Sequence, residues 1–261
     1  MRQGDRRDGT ERASLESVDR VVRVLRAVDA DEPITLADVA RGCGLSEATA
    51  LRYLSSLVVH GLVERTSSGR YRLGWELFRL GQQTVGSRAP RNVTLPLMEQ
   101  LREQFNETVN LALRERDEVV IVEVLESKRT LKPVNQVGQH DPWHASALGK
   151  AMLAELAAPD RDALLDRVGL ARFTEATIVD RPSLERELAL TRERGFAIDR
   201  LEVESELTCV AAPITGPNGA PVYAISLSFP TFRVEEEILQ RAGEAARVAA
   251  TELRRRLGYD R

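Results

Sequence analysis

The 261-residue sequence contains only two cysteines, Cys43 and Cys209, three histidines, and three lysines, Lys128, Lys132 and Lys150. Two cysteines make neither a disulfide framework nor a four-ligand zinc set, which fits a reducing compartment. No apolar run approaches the roughly 20 residues needed to cross a bilayer. The opening MRQGDRRDGTERAS has no apolar stretch of a secretory signal. These absences point to the cytoplasm and to no membrane partner. Strong charge of one sign is missing too, with 37 basic side chains against 40 acidic ones. What is there is a 43% hydrophobic composition, enough over this length to give two domains a core each. Residues 1–88 carry 14 basic and 12 acidic side chains and the remainder 23 and 28, so the first part is the less acidic. A phosphate-binding part should be, although so mild a difference identifies nothing alone.

The stretch LSEATALRYLSSLVVHGLVERTSSGRYRLG, residues 45–74, joins a helical pattern to a hairpin pattern with no room for a catalytic loop. Ala50, Leu51, Leu54, Leu57 and Val58 form an apolar stripe at helical spacing, while Thr49, Arg52, Tyr53 and Ser56 recur on the other side. Ser46 suits an N-cap and Gly61 a left-handed end, so this helix runs from about 46 to 60. Upstream, Thr35 and Asp38 open a short helix with Leu36, Val39 and Ala40 inward, closed by Gly42 and Gly44. Val18, Val21, Val22, Leu25 and Val28 give a helix before it, and LVER and RYRL flank TSSG as a hairpin turning at Gly69. Three helices and a hairpin in this order describe a winged helix-turn-helix, whose second motif helix enters the DNA major groove. Ser46, Thr49, Arg52, Tyr53 and Ser56 are then the candidates for base edges or nearby phosphates, and Arg65, Arg70 and Arg72 of the wing for phosphates.

The segments SVDRVVRVLRAV, TLADVARGCGLSEATALRYLSSLVVHGLVER and GRYRLG resemble the amino-terminal domain of the isocitrate lyase regulator (IclR) family of bacterial transcription factors. HASALGKAMLA and GFAIDRLEVESELTCVAAPI resemble that family's effector-binding domain. The resemblance runs from about Ser17 to about Arg233. It implies an α+β chain: a winged helix-turn-helix at 15–74, a linker helix at 75–89, and a GAF-like sensor domain with an antiparallel sheet at 90–261; residues 1–14 lie outside the resemblance and, with mixed Arg, Asp and Glu, read as a disordered arm. It also implies double-stranded operator DNA and a small-molecule effector as partners, no cofactor, and a homodimer or dimer of dimers formed with help from the linker helix. The expected function is that of a repressor controlled by a small organic or aromatic carboxylate.

The second half reads as mixed helices and strands. Pro96 to Phe105, ASALGKAMLAEL, SLERELALTRERG and Arg233 to Arg256 read as helices. TVNLALRE, EVVIVEVLES, FAID, LTCVAAPI and VYAISLSF read as strands, the first two forming a hairpin around Arg116 and Asp117. Strand alternation puts Tyr223, Ile225, Leu227 and Phe229 on one face and Val222, Ala224, Ser226 and Ser228 on the other. Small side chains and two hydroxyls leave room and hydrogen-bonding capacity for a ligand. By the resemblance, effector contacts fall on Ala147, Leu148, Asp199, Leu207, Cys209, Ser226 and Ser228. Amides opening the ALGK helix suit a carboxylate. Two positions depart from the family pattern: Glu206 stands where a glycine is usual, and Trp143 adds a bulky aromatic expected near the pocket entrance.

Other chemistries have less behind them. Ser146, His144 and Asp199 supply the types of a nucleophilic triad and Lys150 those of a Schiff base, but no nucleophile elbow, phosphate loop or dinucleotide fingerprint accompanies them. His140, His144 and Cys209 could form a soft metal site, short of the four ligands of a structural zinc. A purely architectural DNA binder would not require the Ser226 and Ser228 face. No enzyme activity and no metal are expected.

Overall fold

The computed structural model describes residues 15–30, 32–80 and 91–259. The chain divides into two compact units, residues 1–87 and 88–261. The expected arm at 1–14 and the end of the expected linker helix lie outside the described residues, and residues 75–80 are helical.

In the first unit, α1 (Glu16–Val28), α2 (Leu36–Cys43) and α3 (Glu47–Val59) precede an antiparallel hairpin of β1 (Val63–Arg65) and β2 (Tyr71–Leu73). Thr35 caps α2, accepting from the Asp38 amide at 3.3 Å, and Ser46 caps α3, accepting from the Thr49 amide at 3.3 Å. Between them Gly44, at φ 64°, takes the left-handed turn that a Cβ would penalise. Val24, Val28, Val39, Cys43, Leu54, Leu57, Val63 and Tyr71 form the core. The apolar stripes are narrower than their sequence patterns. On α3, Ala50, Leu54 and Leu57 are buried while Leu51 and Val58 stay exposed. On α1 the inward residues are Val24 and Val28, with Val18 and Val22 exposed. Eight-residue α2 and a three-residue-stranded hairpin cover only part of a helix face, so the flanks of each stripe remain outside. Trp75 and Phe78 are also exposed and lie against each other, ring centroids 4.5 Å apart.

The second unit is built on a six-stranded sheet in the order β5-β4-β3-β8-β7-β6, with every neighbouring pair antiparallel. Its strands are β3 (Thr108–Glu115), β4 (Glu118–Leu125), β5 (His140–Asp141), β6 (Ala197–Arg200), β7 (Leu207–Thr215) and β8 (Pro221–Pro230). Helices α4 (Arg91–Phe105) and α8 (Glu236–Arg256) pack on one face, where Met98, Leu111, Val210, Ile225, Leu227 and Leu253 meet. Helices α5 (Ala147–Glu155), α6 (Ala158–Val168) and α7 (Arg181–Arg194) gather a second core, including Ile121, Met152, Leu164, Leu188, Ala211 and Ala224, on the other. Covered on both faces, the central strands are almost wholly buried, and polar residues among them must find hydrogen bonds inside the protein.

The β8 alternation holds from Tyr223 onward: Tyr223, Ile225, Leu227 and Phe229 join the first core, while Ser226 and Ser228 face the other way; Val222, expected with the serines, packs against the first core, where a register shift against β7 leaves it unpaired. Several boundaries differ. Helix α4 starts at Arg91 and holds Pro96 inside it, and α8 starts at Glu236 after a 3-10 turn at Thr231–Arg233. Helix α6, which buries only Arg161, Leu164 and Leu165, and the two-residue β5 carry too sparse an apolar period to be read from sequence.

Candidate functional site

On α3, Ser46, Arg52 and Ser56 are exposed, whereas Thr49 and Tyr53 are half-buried. Thr49 shares its hydroxyl with Ser46 at 2.9 Å, and Tyr53 packs against the core of its own unit beside Arg20 of α1. Arg52, Tyr53 and Ser56 line a groove of about 370 Å³ with Ser17, Val18 and Val21 of α1. The open surface of α3 also includes Ala48 and Ser55, which the polar-edge pattern did not single out. On the hairpin, the Arg65 guanidinium lies 5.9 Å from the centre of the Tyr71 ring, and Arg70 donates to the Pro33 carbonyl at 3.2 Å. Arg72 donates from Nε and Nη2 to one oxygen of Glu64, at 3.0 and 2.7 Å. Of the wing arginines, Arg72 therefore carries an intramolecular carboxylate partner already.

In the second unit, Ala147, Leu148, Asp199, Leu207, Cys209, Ser226 and Ser228, which arise on four separate elements, all line one cavity. The space open to a water centre is about 40 Å³, room for a few small groups. Asn110 of β3, Asn135 and Gln139 of the segment after β4, Asp141 of β5, Ser146, and Val203 and Glu204 of the loop after β6 complete the lining. Asn110 is the residue sequence reasoning missed most clearly. It pairs in register with Ser226 and donates from Nδ2 to both Ser226 and Ser228 at 3.2 Å, while its carbonyl accepts from Asn135 at 3.0 Å. Its signal is the alternation Thr108, Asn110, Ala112 in β3, which becomes informative once β3 is known to lie beside β8.

Burial sets the electrostatics. Desolvation pushes the Asp199 carboxyl up to about 7, against the Glu202 amide and the Lys150 charge, which favour the ionised form. The Glu202 amide donates to Asp199 Oδ1 at 2.7 Å. Desolvation likewise raises Asp141 to about 6, opposed by a hydrogen bond with Ser146 and reinforced by Glu204. The Cys209 thiol is pushed well above its ordinary value, chiefly by burial, and donates to Ser228 at 3.3 Å. It is present as a thiol, not a nucleophilic thiolate. Behind the cavity, buried Lys150 pairs with Glu202, whose carboxyl is raised by burial, and Glu202 Oε2 has no hydrogen-bond partner among the described residues. The loop is further held by Thr177, which donates to the Glu202 carbonyl at 2.7 Å, and by Thr174, which donates to the Leu201 carbonyl at 2.6 Å. Leu201 itself sits at φ 65°.

Gly149 fixes where α5 begins. A Cβ there would lie 2.4 Å from the Trp143 carbonyl oxygen and 2.6 Å from that of Pro142. Only glycine permits this approach, which brings Ala147 and Leu148 to the cavity. Trp143, expected near the entrance, is instead buried in the second core with its indole N–H donating to the Asp117 carbonyl at 2.8 Å, and it does not line the cavity. Glu206 is exposed and also outside it; the carboxylate of that loop that reaches the lining is Glu204.

The residues weighed for catalysis are held in structural bonds. Ser146 Oγ accepts from the Gly149 amide at 2.9 Å as the α5 cap, and His144 Nε2 meets the Ala171 carbonyl at 2.8 Å. His140 lies 3.5 Å from Glu118. Among the described residues no group of three or more His, Cys, Asp or Glu could hold a metal ion, and no helix is long and apolar enough to cross a membrane.

Comparison with known proteins adds the family context. Residues 17–67 match the IclR helix-turn-helix domain, and residues 82–255 match the bacterial transcriptional regulator IclR C-terminal domain. Over 247 residues the chain is 32% identical to the HTH-type transcriptional regulator XynR of Escherichia coli K12, covering 94% of this chain and 98% of that protein. Over 225 residues it is 32% identical to the HTH-type transcriptional repressor AllR of the same strain, covering 86% and 83%. A solved structure of an IclR homolog from Microbacterium hydrocarbonoxydans, complexed with 4-hydroxybenzoate, has a TM-score of 0.78 and 30% identity over 91% of this chain and 99% of that one. XynR and AllR are named as a transcriptional regulator and a transcriptional repressor, not as enzymes.

Proposed function

The chain belongs to the IclR family of bacterial transcriptional regulators, and from that premise we propose that it is a repressor whose operator binding is controlled by a small carboxylate held in the cavity of the second unit. The observation that carries the effector reading is the convergence of seven resemblance-derived residues from α5, β6, β7 and β8 on one polar cavity. Repression is supported by AllR, which is named a repressor, and an aromatic acid by the homolog complexed with 4-hydroxybenzoate. In this reading Arg52 and its neighbours on α3 approach the major groove, and Arg65, Arg70 and Arg72 approach phosphates. The protein acts in the cytoplasm as a homodimer or dimer of dimers, so that paired α3 helices read half-sites together. An effector changes operator binding only by favouring one arrangement of those pairs over another.

Selection of binding duplexes from a random library identifies the operator. Thermal unfolding against a panel of organic and aromatic acids then tests the cavity, since a ligand at a hundred times its Kd adds about 2.7 kcal/mol. The expected result is a rise with one acid class that is lost in Ser226→Ala and accompanied by altered operator affinity. A rise that survives Ser226→Ala, or silence across the panel, refutes the assignment.

A further inference from the structure

The cavity holds an electrostatic imbalance. Three of its lining residues carry carboxyl groups, Asp141, Asp199 and Glu204, and none of the described lining residues is a lysine, arginine or histidine. The groups packed around them do not correct it. From α5, the Lys150 ammonium is buried against Glu202 of the following loop, so that cation and that anion offset each other; from β7, Cys209 contributes a protonated thiol. Asp199, Ser226, Ser228 and Asn110 are each at most 2% exposed, so the polar lining is built into the core and not borrowed from the surface. Among the described residues, an anion entering alone finds only neutral donors, the N–H groups that open α5 beside Ala147 and Leu148 and the amides and hydroxyls of the lining, and meets like charge from β5, β6 and the Glu204 loop.

We propose that the effector of this chain is a small zwitterion, with its carboxylate at the α5 N-terminus and a protonated nitrogen facing Asp199 and Glu204. The proposal rests on the assignment of this cavity as the effector site and narrows the ligand class. Glu204 is the specificity-determining residue: it lies on the exposed loop at the rim, where it supplies the third carboxylate.

The titration of the lining gives the proposal a distinctive sign. Asp141 and Asp199 gain charge as pH rises through about 6 and about 7. A ligand ammonium favours their ionised forms, so a zwitterion binds more tightly as pH rises from about 5.5 to 8 and releases protons on binding. A plain carboxylate favours their protonated forms and shows the reverse.

Isothermal titration of the full chain compares glycine, 3-aminopropanoate and 4-aminobutanoate with acetate, propanoate and butanoate at pH 5.5 and 8. The expected result is that at least one amino acid binds about tenfold or more tightly than its deaminated partner, since one tenfold step equals about 1.4 kcal/mol of net charge pairing, and tightens with pH. Glu204→Gln narrows that ratio at least threefold, and Ser228→Ala weakens both members of the pair. Deaminated acids that bind equally well or better, or amino acids that weaken as pH rises, overturn the zwitterion while leaving the cavity assignment in place. Binding indifferent to Ser228→Ala overturns the cavity assignment itself. Silence from all six compounds at both pH values overturns the proposal for small zwitterions.

Discussion

If the wing touches DNA phosphates, its three arginines should not contribute equally, because Arg72 is already hydrogen-bonded to a carboxylate. Arg72 and Glu64 face each other across the hairpin, and the guanidinium gives two donors to a single carboxylate oxygen at 3.0 and 2.7 Å. Both side chains are substantially exposed, at 61% and 42%, so the pair is worth only about 0.2–1 kcal/mol. A phosphate can displace Glu64, but it must offset that amount and tolerate a nearby carboxylate. Each phosphate neutralised contributes about 0.9 to the slope of log K against log salt concentration. Alanine at Arg65 or Arg70 should therefore shallow the slope by about 0.9 per wing, and alanine at Arg72 by clearly less. Glu64→Gln frees the guanidinium: the slope should steepen by up to about 0.9 per wing, and affinity at about 50 mM salt should rise roughly 1.4- to fivefold, the equivalent of 0.2–1 kcal/mol. In the Glu64→Gln background, Arg72→Ala should then cost as much slope as the other two. Fluorescence anisotropy with a labelled operator duplex across a salt series reads all of these. An Arg72→Ala slope equal to that of Arg65→Ala in the native background, with no change for Glu64→Gln, would refute the competition.

Gly149→Ala forces a Cβ against two backbone carbonyls, at 2.4 and 2.6 Å, so urea unfolding should show a loss of about 3 kcal/mol or more; under 1 kcal/mol would mean that the α5 approach is not tight. Lys150→Met leaves Glu202 buried without its cation, at a cost of about 3–5 kcal/mol near pH 8. Because Glu202 can take up a proton instead, that cost should shrink at pH 5.5, and a cost independent of pH would count against the pairing. For Asp199, a carboxyl raised from 3.8 to about 7 holds its proton more firmly folded than unfolded, so its contribution is full below pH 4 and is lost as pH rises through 7. The loss amounts to about 4 kcal/mol, and Asp199→Asn should flatten that decline in a series of unfolding curves between pH 4 and 8. An equally steep decline in the variant would place the titration elsewhere.

The elements most legible in the sequence are those whose logic is local. The caps at Thr35 and Ser46, the left-handed glycine at Gly61 and the placement of Ser226 and Ser228 on one face of β8 each depend on a few neighbouring residues, and the structure has them as the sequence predicts. The widths of the apolar stripes were not legible, because whether Leu51 or Val22 is covered depends on how far a neighbouring helix extends. In the sequence Pro96 marks a helix start, whereas in the structure it is the sixth residue of α4. At the cavity, the resemblance supplies Ala147, Leu148, Asp199, Leu207, Cys209, Ser226 and Ser228, and strand alternation alone supplies only Ser226 and Ser228 and the small face of Leu207 and Cys209. Asn110, Asn135 and Asp141 needed the strand order, which no local pattern carries. Trp143 went astray for a related reason: proximity in sequence to the ALGK helix does not say on which side of the chain the indole turns.

The pairing of β3 with β8 joins residues more than a hundred positions apart, with Thr108 opposite Ser228. On a ribosome this has a temporal meaning. Every residue of the α1–β2 core is present once Tyr71 has been made, whereas the floor of the cavity waits for Ser228 to arrive beside Asn110. At about 5–20 residues per second, those roughly 160 residues take on the order of 8–30 s to synthesise. Each new molecule thus completes the unit that would hold DNA well before it can complete the one that would sense a metabolite, and premature termination within the last third leaves a chain with the first unit and an unfinished second.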